Sequence, residues 1–198
     1  MELTTPQRHK KKENPMKILA LAGSNSPQSI NKDLVAYAAQ LSGLPFTLLD
    51  LTAYDDVPLY STLRQQRDGF PPEIEALYAL IQAHDGLLIA SPEHNGSMPA
   101  VFKNVIDWLS RIQMKFLGQK PVLLLSAAPG PNGGRTNLQT LASLVPWWGA
   151  NLVGSYSLGR YAEMMQRGVL AEAEQAQLQG QLNAFGKALE QASLTLAA

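Results

Sequence analysis

From Met16 onward, short apolar runs alternate with stretches in which apolar residues recur every three or four positions. Compact apolar runs bounded by turn formers predict buried strands, and the three-to-four spacing predicts one face of a helix. On that pattern "KILALA", "FTLLD", "GLLIAS", "PVLLLSAA" and "NLVGSYS" are five strands. Leu34, Ala38 and Leu41 mark a first helix, and Ile74, Leu77, Tyr78 and Ile81 a second. Val101, Val105, Trp108, Leu109 and Ile112 mark a third; Leu138, Leu141 and Val145 a fourth; Leu178, Leu182, Phe185 and Leu189 the last. A longer loop with Pro58, Gly69, Pro71 and Pro72 precedes the second helix.

Strands alternating with helices predict βαβ units, a mainly parallel sheet and helices on both faces. This element order matches a flavodoxin-like, doubly wound α/β fold: a three-layer α/β/α arrangement with a five-stranded parallel sheet of order 2-1-3-4-5. In such sheets ligands bind beyond the carboxyl ends of the strands, at the switch point between the first and third. The loops after strands one, three and four are therefore expected to carry the chemistry.

Composition narrows the classes. The 198 residues show no break that would divide them, so one domain over 16–198 is expected. Residues 1–15, "MELTTPQRHKKKENP", lack apolar periodicity and are expected to form a disordered basic tail, with Met16 as the start of the fold. Sixteen Lys and Arg balance sixteen Asp and Glu, so no bulk charge draws the chain to nucleic acid. The absence of cysteine excludes disulfides, thiolate metal sites and cysteine nucleophiles. His9, His84 and His94 have no metal-ligand spacing, and no metal is expected. No apolar run approaches the ~18 residues of a membrane span. The expectation is a soluble, cytoplasmic protein with a small-molecule partner and no nucleic-acid or membrane partner.

The loop after the first strand, "GSNSPQSIN", is neither of the familiar phosphate designs. It lacks the repeated glycines of a dinucleotide fingerprint and the Gly-Lys-Ser/Thr of a Walker loop. It offers instead Ser24, Ser26 and Ser29 at the mouth of a helix, whose first N–H groups have no intrahelical acceptor. Hydroxyls and N–H groups together suit a terminal phosphate monoester. The plainer alternative is that Ser29 or Asn31 only caps the helix, which accounts for one polar residue and not three.

The loop after the third strand, "SPEHNGSMPAVFKNVIDW", is the most specific segment. It resembles the P-E-Y-N-G-S-x-P-x-x-L-K-N-x-I-D-W signature of the NAD(P)H-dependent FMN reductase family, which includes quinone and chromate reductases. "GSNSPQSIN" is similar to that family's G-S-x-R-x-x-S-x-N loop, and the likeness runs from about Met16 to Tyr161. The resemblance implies that Ser24, Ser26, Ser29, Ile30 and Asn31 hold the FMN phosphate. It places Pro92, Glu93, His94, Asn95 and Gly96 along the ribityl chain and ring, mostly through backbone groups. Ala128, Pro129 and Gly130 of "SAAPGPNGG" would approach the other side, with Gly133 permitting the turn.

The implied activity is transfer of a hydride from NADPH or NADH through FMN to a small-molecule electron acceptor such as a quinone, free flavin, azo compound or metal oxyanion. No catalytic side chain is required, because the flavin carries the chemistry. A homodimer or homotetramer is implied by the same resemblance. Three positions depart from the family pattern: Ser26 replaces an arginine, His94 a tyrosine, and Gly133-Gly134-Arg135 sets the basic residue one place early. The rival reading is a non-enzymatic flavodoxin-type electron carrier, but such carriers are usually strongly acidic and this chain is neutral. Lys103, Asn104, Asp107 and Arg111 are read as support or subunit contact, Trp108, Trp147 and Trp148 as core or interface, and His84, before Asp85-Gly86 at a helix end, as a surface residue or a partner of the helix dipole at its C-terminus.

Overall fold

The computed structural model describes residues 16–196; the tail expected over residues 1–15 lies outside them. Five strands form one sheet: β1 (Ile18–Ala22), β2 (Phe46–Asp50), β3 (Gly86–Ala90), β4 (Pro121–Ala127) and β5 (Asn151–Leu158). Their order is β2-β1-β3-β4-β5, and every pairing is parallel. The helices are α1 (Ile30–Ser42), α2 (Thr62–Asp68), α3 (Pro72–Gln82), α4 (Ala100–Ile112), α5 (Arg135–Leu144), α6 (Tyr161–Met164) and α7 (Glu172–Leu196). A small antiparallel pair, β6 (Met165–Gln166) with β7 (Val169–Leu170), stands apart from the main sheet.

Side chains on a strand alternate between faces, and here that alternation divides the core in two. Leu19, Leu21, Leu87, Ile89, Val122 and Leu124 pack with α3, α4 and α5. Ile18, Ala20, Leu88, Ala90, Leu123 and Leu125 pack with α1 and α7. Strands β1, β3 and β4 are buried throughout, which explains their continuous apolar runs, as a sheet covered on both faces requires. At the edge, β2 leaves Phe46 and Leu48 partly open. The β4–β5 register slips at Val122/Leu123, so Val153 has no partner across the ladder.

The predicted strands, helices and sheet order are all present. The long loop before α3 proves to contain a 3-10 turn (Thr52–Tyr54) and α2. No residue of α2 is buried, so it has no apolar stripe for periodicity to detect. His84 is not on the surface. It is 4% exposed, with Nδ1 2.7 Å from the Leu80 carbonyl and Nε2 2.9 Å from Thr47 Oγ1, joining α3 to β2.

Asn104 does serve as support. Its Oδ1 accepts from the Tyr60 N–H (2.9 Å) and its Nδ2 donates to the carbonyls of Val57 and Pro58. Trp108 adds a bond from Nε1 to the Pro58 carbonyl (2.8 Å), so α4 holds the whole 57–60 segment. Trp108 lies in the core, Trp148 stacks on Phe116, and Trp147 is 77% exposed.

Candidate functional site

The loops leaving β1, β3 and β4 meet above the carboxyl ends of these strands. They enclose a cleft of about 240 Å³ lined by Ser24, Ser26, Gln28, Ser29, Ile30, Asn31, Pro92, Glu93, His94, Ala127, Ala128 and Pro129. A larger depression, about 720 Å³, lies at the opposite end of the sheet beside Asp85, Lys120 and the end of α7. The smaller cleft is the one at the topological switch point, where open α/β sheets bind ligands.

In the first loop, Ser29 is the N-cap of α1, its Oγ accepting from the Lys32 N–H at 3.3 Å. Ser24 Oγ accepts from the Ser26 N–H at 3.2 Å. Both hydroxyls are buried, yet each keeps its proton free to donate, while Ser26 is exposed. The N–H groups of Ile30 and Asn31, first in α1, have no acceptor among the described residues. Asn31 turns its side chain elsewhere: Nδ2 donates to the Ala127 carbonyl (3.0 Å) and Oδ1 accepts from the Ala127 N–H (2.9 Å). It thus ties α1 to the end of β4, and its backbone N–H is what remains for a ligand. Capping and anion binding are therefore compatible in this loop, since the cap uses serine oxygen and leaves the donors.

In the second loop, His94 and Ser97 exchange backbone bonds of 2.8 and 3.1 Å around Asn95 and Gly96. Both central residues have positive φ, 52° and 76°, as in a I′ turn, for which Asn-Gly is the favoured pair. Asn95 and Gly96 form the exposed tip and do not line the cleft. His94 stands on the wall between the cleft and a second depression of about 490 Å³, bounded by Asn95, Ser97, Met98, Ala100, Lys103, Thr140 and Leu144.

Glu93 turns its carboxylate inward, where Oε2 accepts from the Asn137 N–H at 3.0 Å. Asn137 is in the first turn of α5, whose own N-cap is Gly134 with no side chain to offer. The carboxylate therefore supplies the missing cap and a favourable charge at the positive end of the helix dipole.

In the third loop, Ala128 and Pro129 line the cleft, while Gly130 is exposed and accepts from the Arg160 N–H. Gly133 is buried behind the loop, its carbonyl accepting from Ser157 Oγ (3.0 Å). Tyr161 buttresses this side: its N–H bonds to the Ala128 carbonyl, and its hydroxyl donates to Asp33 at 3.1 Å. Burial, with the Asp33 charge, pushes the Tyr161 pKa up to about 12, so it remains a donor at neutral pH.

Lys32, in the first turn of α1, does not face the cleft as a counter-charge. It pairs with Asp50 at the end of β2. Burial opposes ionisation of Asp50, but hydrogen bonds from Lys32 and Thr52 and the lysine charge outweigh it, holding the carboxyl below its ordinary range. Gln28 and Ala127 join the predicted lining residues in the cleft. No group of three or more potential metal-ligating side chains occurs among the described residues.

Fold and cleft together define a flavodoxin-like protein with a polar nest at the switch point. The chain belongs to the NADPH-dependent FMN reductase family, whose model matches residues 16–186. It is 31% identical to a quinone reductase of Escherichia coli (strain K12) over 189 residues, 90% of this chain and 98% of that one. It is 37% identical to an NAD(P)H-dependent FMN reductase of Pseudomonas aeruginosa over 120 residues, 60% of this chain and 63% of that one. Among solved structures, the flavoenzyme NAD(P)H:(acceptor) oxidoreductase of Paracoccus denitrificans shares the fold, with a TM-score of 0.73 and 24% identity over 89% of this chain and 98% of that one.

Membership brings FMN as cofactor and NAD(P)H as reductant. The nest fits such a group: buried hydroxyl donors and two free N–H groups at a helix N-terminus are what a phosphate needs.

Proposed function

We propose that the protein reduces quinone-type acceptors with electrons from NADPH or NADH by way of FMN bound in the cleft above β1, β3 and β4. The observation that carries this is the convergence of the hydroxyl-lined α1 entrance with the Pro92–His94 segment. The quinone reductase named above, similar over nearly its whole length, supports the acceptor class.

Ser24, Ser26 and Ser29, with the N–H groups of Ile30 and Asn31, would hold the phosphate through hydrogen bonds and the α1 dipole. Pro92, Glu93 and His94, which line the cleft, would border the ribityl chain and ring, with Asn95 and Gly96 at the rim beyond them. Ala128 and Pro129 would border the opposite side, with Gly130 at its exposed edge and Gly133 shaping that loop from behind. When bound, the flavin supplies reversible hydride chemistry between nicotinamide and acceptor. The protein's part is to orient that group and leave one face reachable, and the depression beyond His94 is the natural place for donor and acceptor to enter in turn. No side chain is assigned as acid or base.

The exposed apolar side chains Leu59, Leu63, Met114 and Trp147 support assembly as a homodimer or homotetramer, which light scattering on the purified protein measures. No helix among the described residues is long and apolar enough to cross a membrane, and a cytoplasmic setting is part of the same proposal. The central test is spectroscopic. FMN-loaded protein should bleach with NADPH or NADH and recover colour with a quinone, with ping-pong kinetics. Bleaching by dithionite but by neither nicotinamide would remove the reductase reading and leave an electron carrier.

A further inference from the structure

Behind the cleft lies a buried polar group that the foregoing leaves unused. Asn137 is completely buried. Its Nδ2 donates to Ser91 Oγ and to the Pro92 carbonyl, each at 2.9 Å. Its Oδ1 has no partner among the described residues. Exchanging the two amide atoms would set Oδ1 against the Pro92 carbonyl, so the orientation follows from the neighbours. A buried unpaired acceptor is costly, and a leucine would fill the same space without it. The position is therefore occupied by an amide for its two donors.

What those donors fix is a peptide plane. The chain has no cis peptide bond among the described residues. In a trans peptide the C=O and the following N–H point to opposite sides. With the Pro92 carbonyl drawn toward α5, the Glu93 N–H points away from α5, and Glu93 itself lines the cleft with Ser24, Ser29 and Ala128. That N–H has no acceptor among the described residues. The Glu93 carboxylate, held by the Asn137 backbone, and Ser126 Oγ, donating to the Ser91 carbonyl at 2.8 Å, fix the same segment from either end.

On the reading that FMN occupies this cleft, we propose that Asn137 is a positioning residue: by holding the Pro92 carbonyl it aims the Glu93 N–H at an acceptor atom of the flavin. It lies on α5, outside all three loops, and touches no ligand itself.

The test uses the full chain stripped of flavin, titrated with FMN by fluorescence quenching, beside the melting temperature of the apoprotein. Asn137→Leu removes both side-chain donors and keeps the backbone bond to Glu93. It should raise the FMN Kd roughly tenfold or more with an unchanged or higher apoprotein melting temperature, and should shift the visible absorption of bound flavin. Asn137→Asp, which opposes one acceptor to another, should weaken binding at least as far. Ser91→Ala removes the longer of the two bonds to the Pro92 carbonyl, from Ser91 Oγ at 3.2 Å, and keeps the one from Asn137 Nδ2. It should weaken binding several-fold less than Asn137→Leu, and an equal or larger loss would assign the positioning to Ser91 instead.

Parental affinity and spectrum in Asn137→Leu would overturn the proposal, as would a loss of affinity that merely tracks a fall in melting temperature. If the parent protein bound no FMN at all, the cleft reading would fall first and carry this one with it.

Discussion

Ser29 combines two roles that substitution can separate. Its oxygen caps α1 and its proton is free for a ligand, whereas Ser24 caps nothing. Ser29→Ala should lower apoprotein stability by about 1 kcal/mol, the usual worth of an N-cap; Ser24→Ala should leave the helix intact. Together they should weaken FMN binding by roughly 1.5–3 kcal/mol per bond lost, as for hydrogen bonds to charged groups. Calorimetric melting and flavin titration read the two effects independently. At Asp50 the folded pKa lies below the ordinary 3.8, so the unfolded chain binds the proton first as pH falls. Its stabilisation is present above the ordinary value and disappears as pH drops through the folded one. Asp50→Asn should therefore flatten the stability profile below about pH 4, as followed by urea unfolding across that range. Residues of this kind differ in how visible they are in the sequence. The serines announce themselves by crowding one loop, but Glu93 and Asn137 are 44 positions apart and neither carries a local mark of the other. Asn31 falls between these cases: the motif located it, while its amide bonds to a strand 96 residues away.

At the scale of elements, α4 and α5 set the position of the loops they do not belong to. Asn104→Ala would strand the Tyr60 N–H and the Val57 carbonyl, while Trp108 Nε1 still satisfies the Pro58 carbonyl. A cost of about 1–3 kcal/mol is expected for each group left buried and unpaired, together with faster amide exchange at Tyr60. Gly134 is similarly constrained at the start of α5. Its φ is 74°, and a Cβ there would lie 2.1 Å from Ser126 Oγ. Gly134→Ala should thus destabilise by about 1–3 kcal/mol, as overpacking does, measurable in the denaturation midpoint. The central strands β1, β3 and β4 were legible because each buries a continuous run, and the major helices because each buries a regular stripe. The edge strands β2 and β5 were legible from their composition and bounding turns, although little of either is buried. The helix α2 and the β6–β7 pair were not, since the first buries no residue and the second pairs only two residues on each side. His84 does stand at a helix end, as the Asp-Gly after it suggests, with Nδ1 on the Leu80 carbonyl of α3; what the local sequence did not show is that it is buried. Its burial depends on Thr47, on a strand that sequence proximity does not reveal.

For the whole molecule, the strand order is the fact from which the rest follows, because it brings the ends of β1, β3 and β4 side by side. Alternating periods predicted the parallel sheet, and matching the five-strand element order to a doubly wound arrangement supplied the order, whereas the two unequal depressions meeting at His94 depend on how side chains pack around the loops. Three loops separated by long stretches of chain become neighbours only in the folded state, and a molecule seated among them binds that state alone. Folding and cofactor supply are then linked by mass action. Free FMN at a hundredfold excess over its Kd adds about 2.7 kcal/mol to the unfolding free energy, so the melting temperature should climb with the logarithm of FMN concentration. In a cell, chains made when flavin is scarce would spend more time unfolded and meet proteases more often. The steady-state abundance of the protein would then follow riboflavin status without any change in its synthesis.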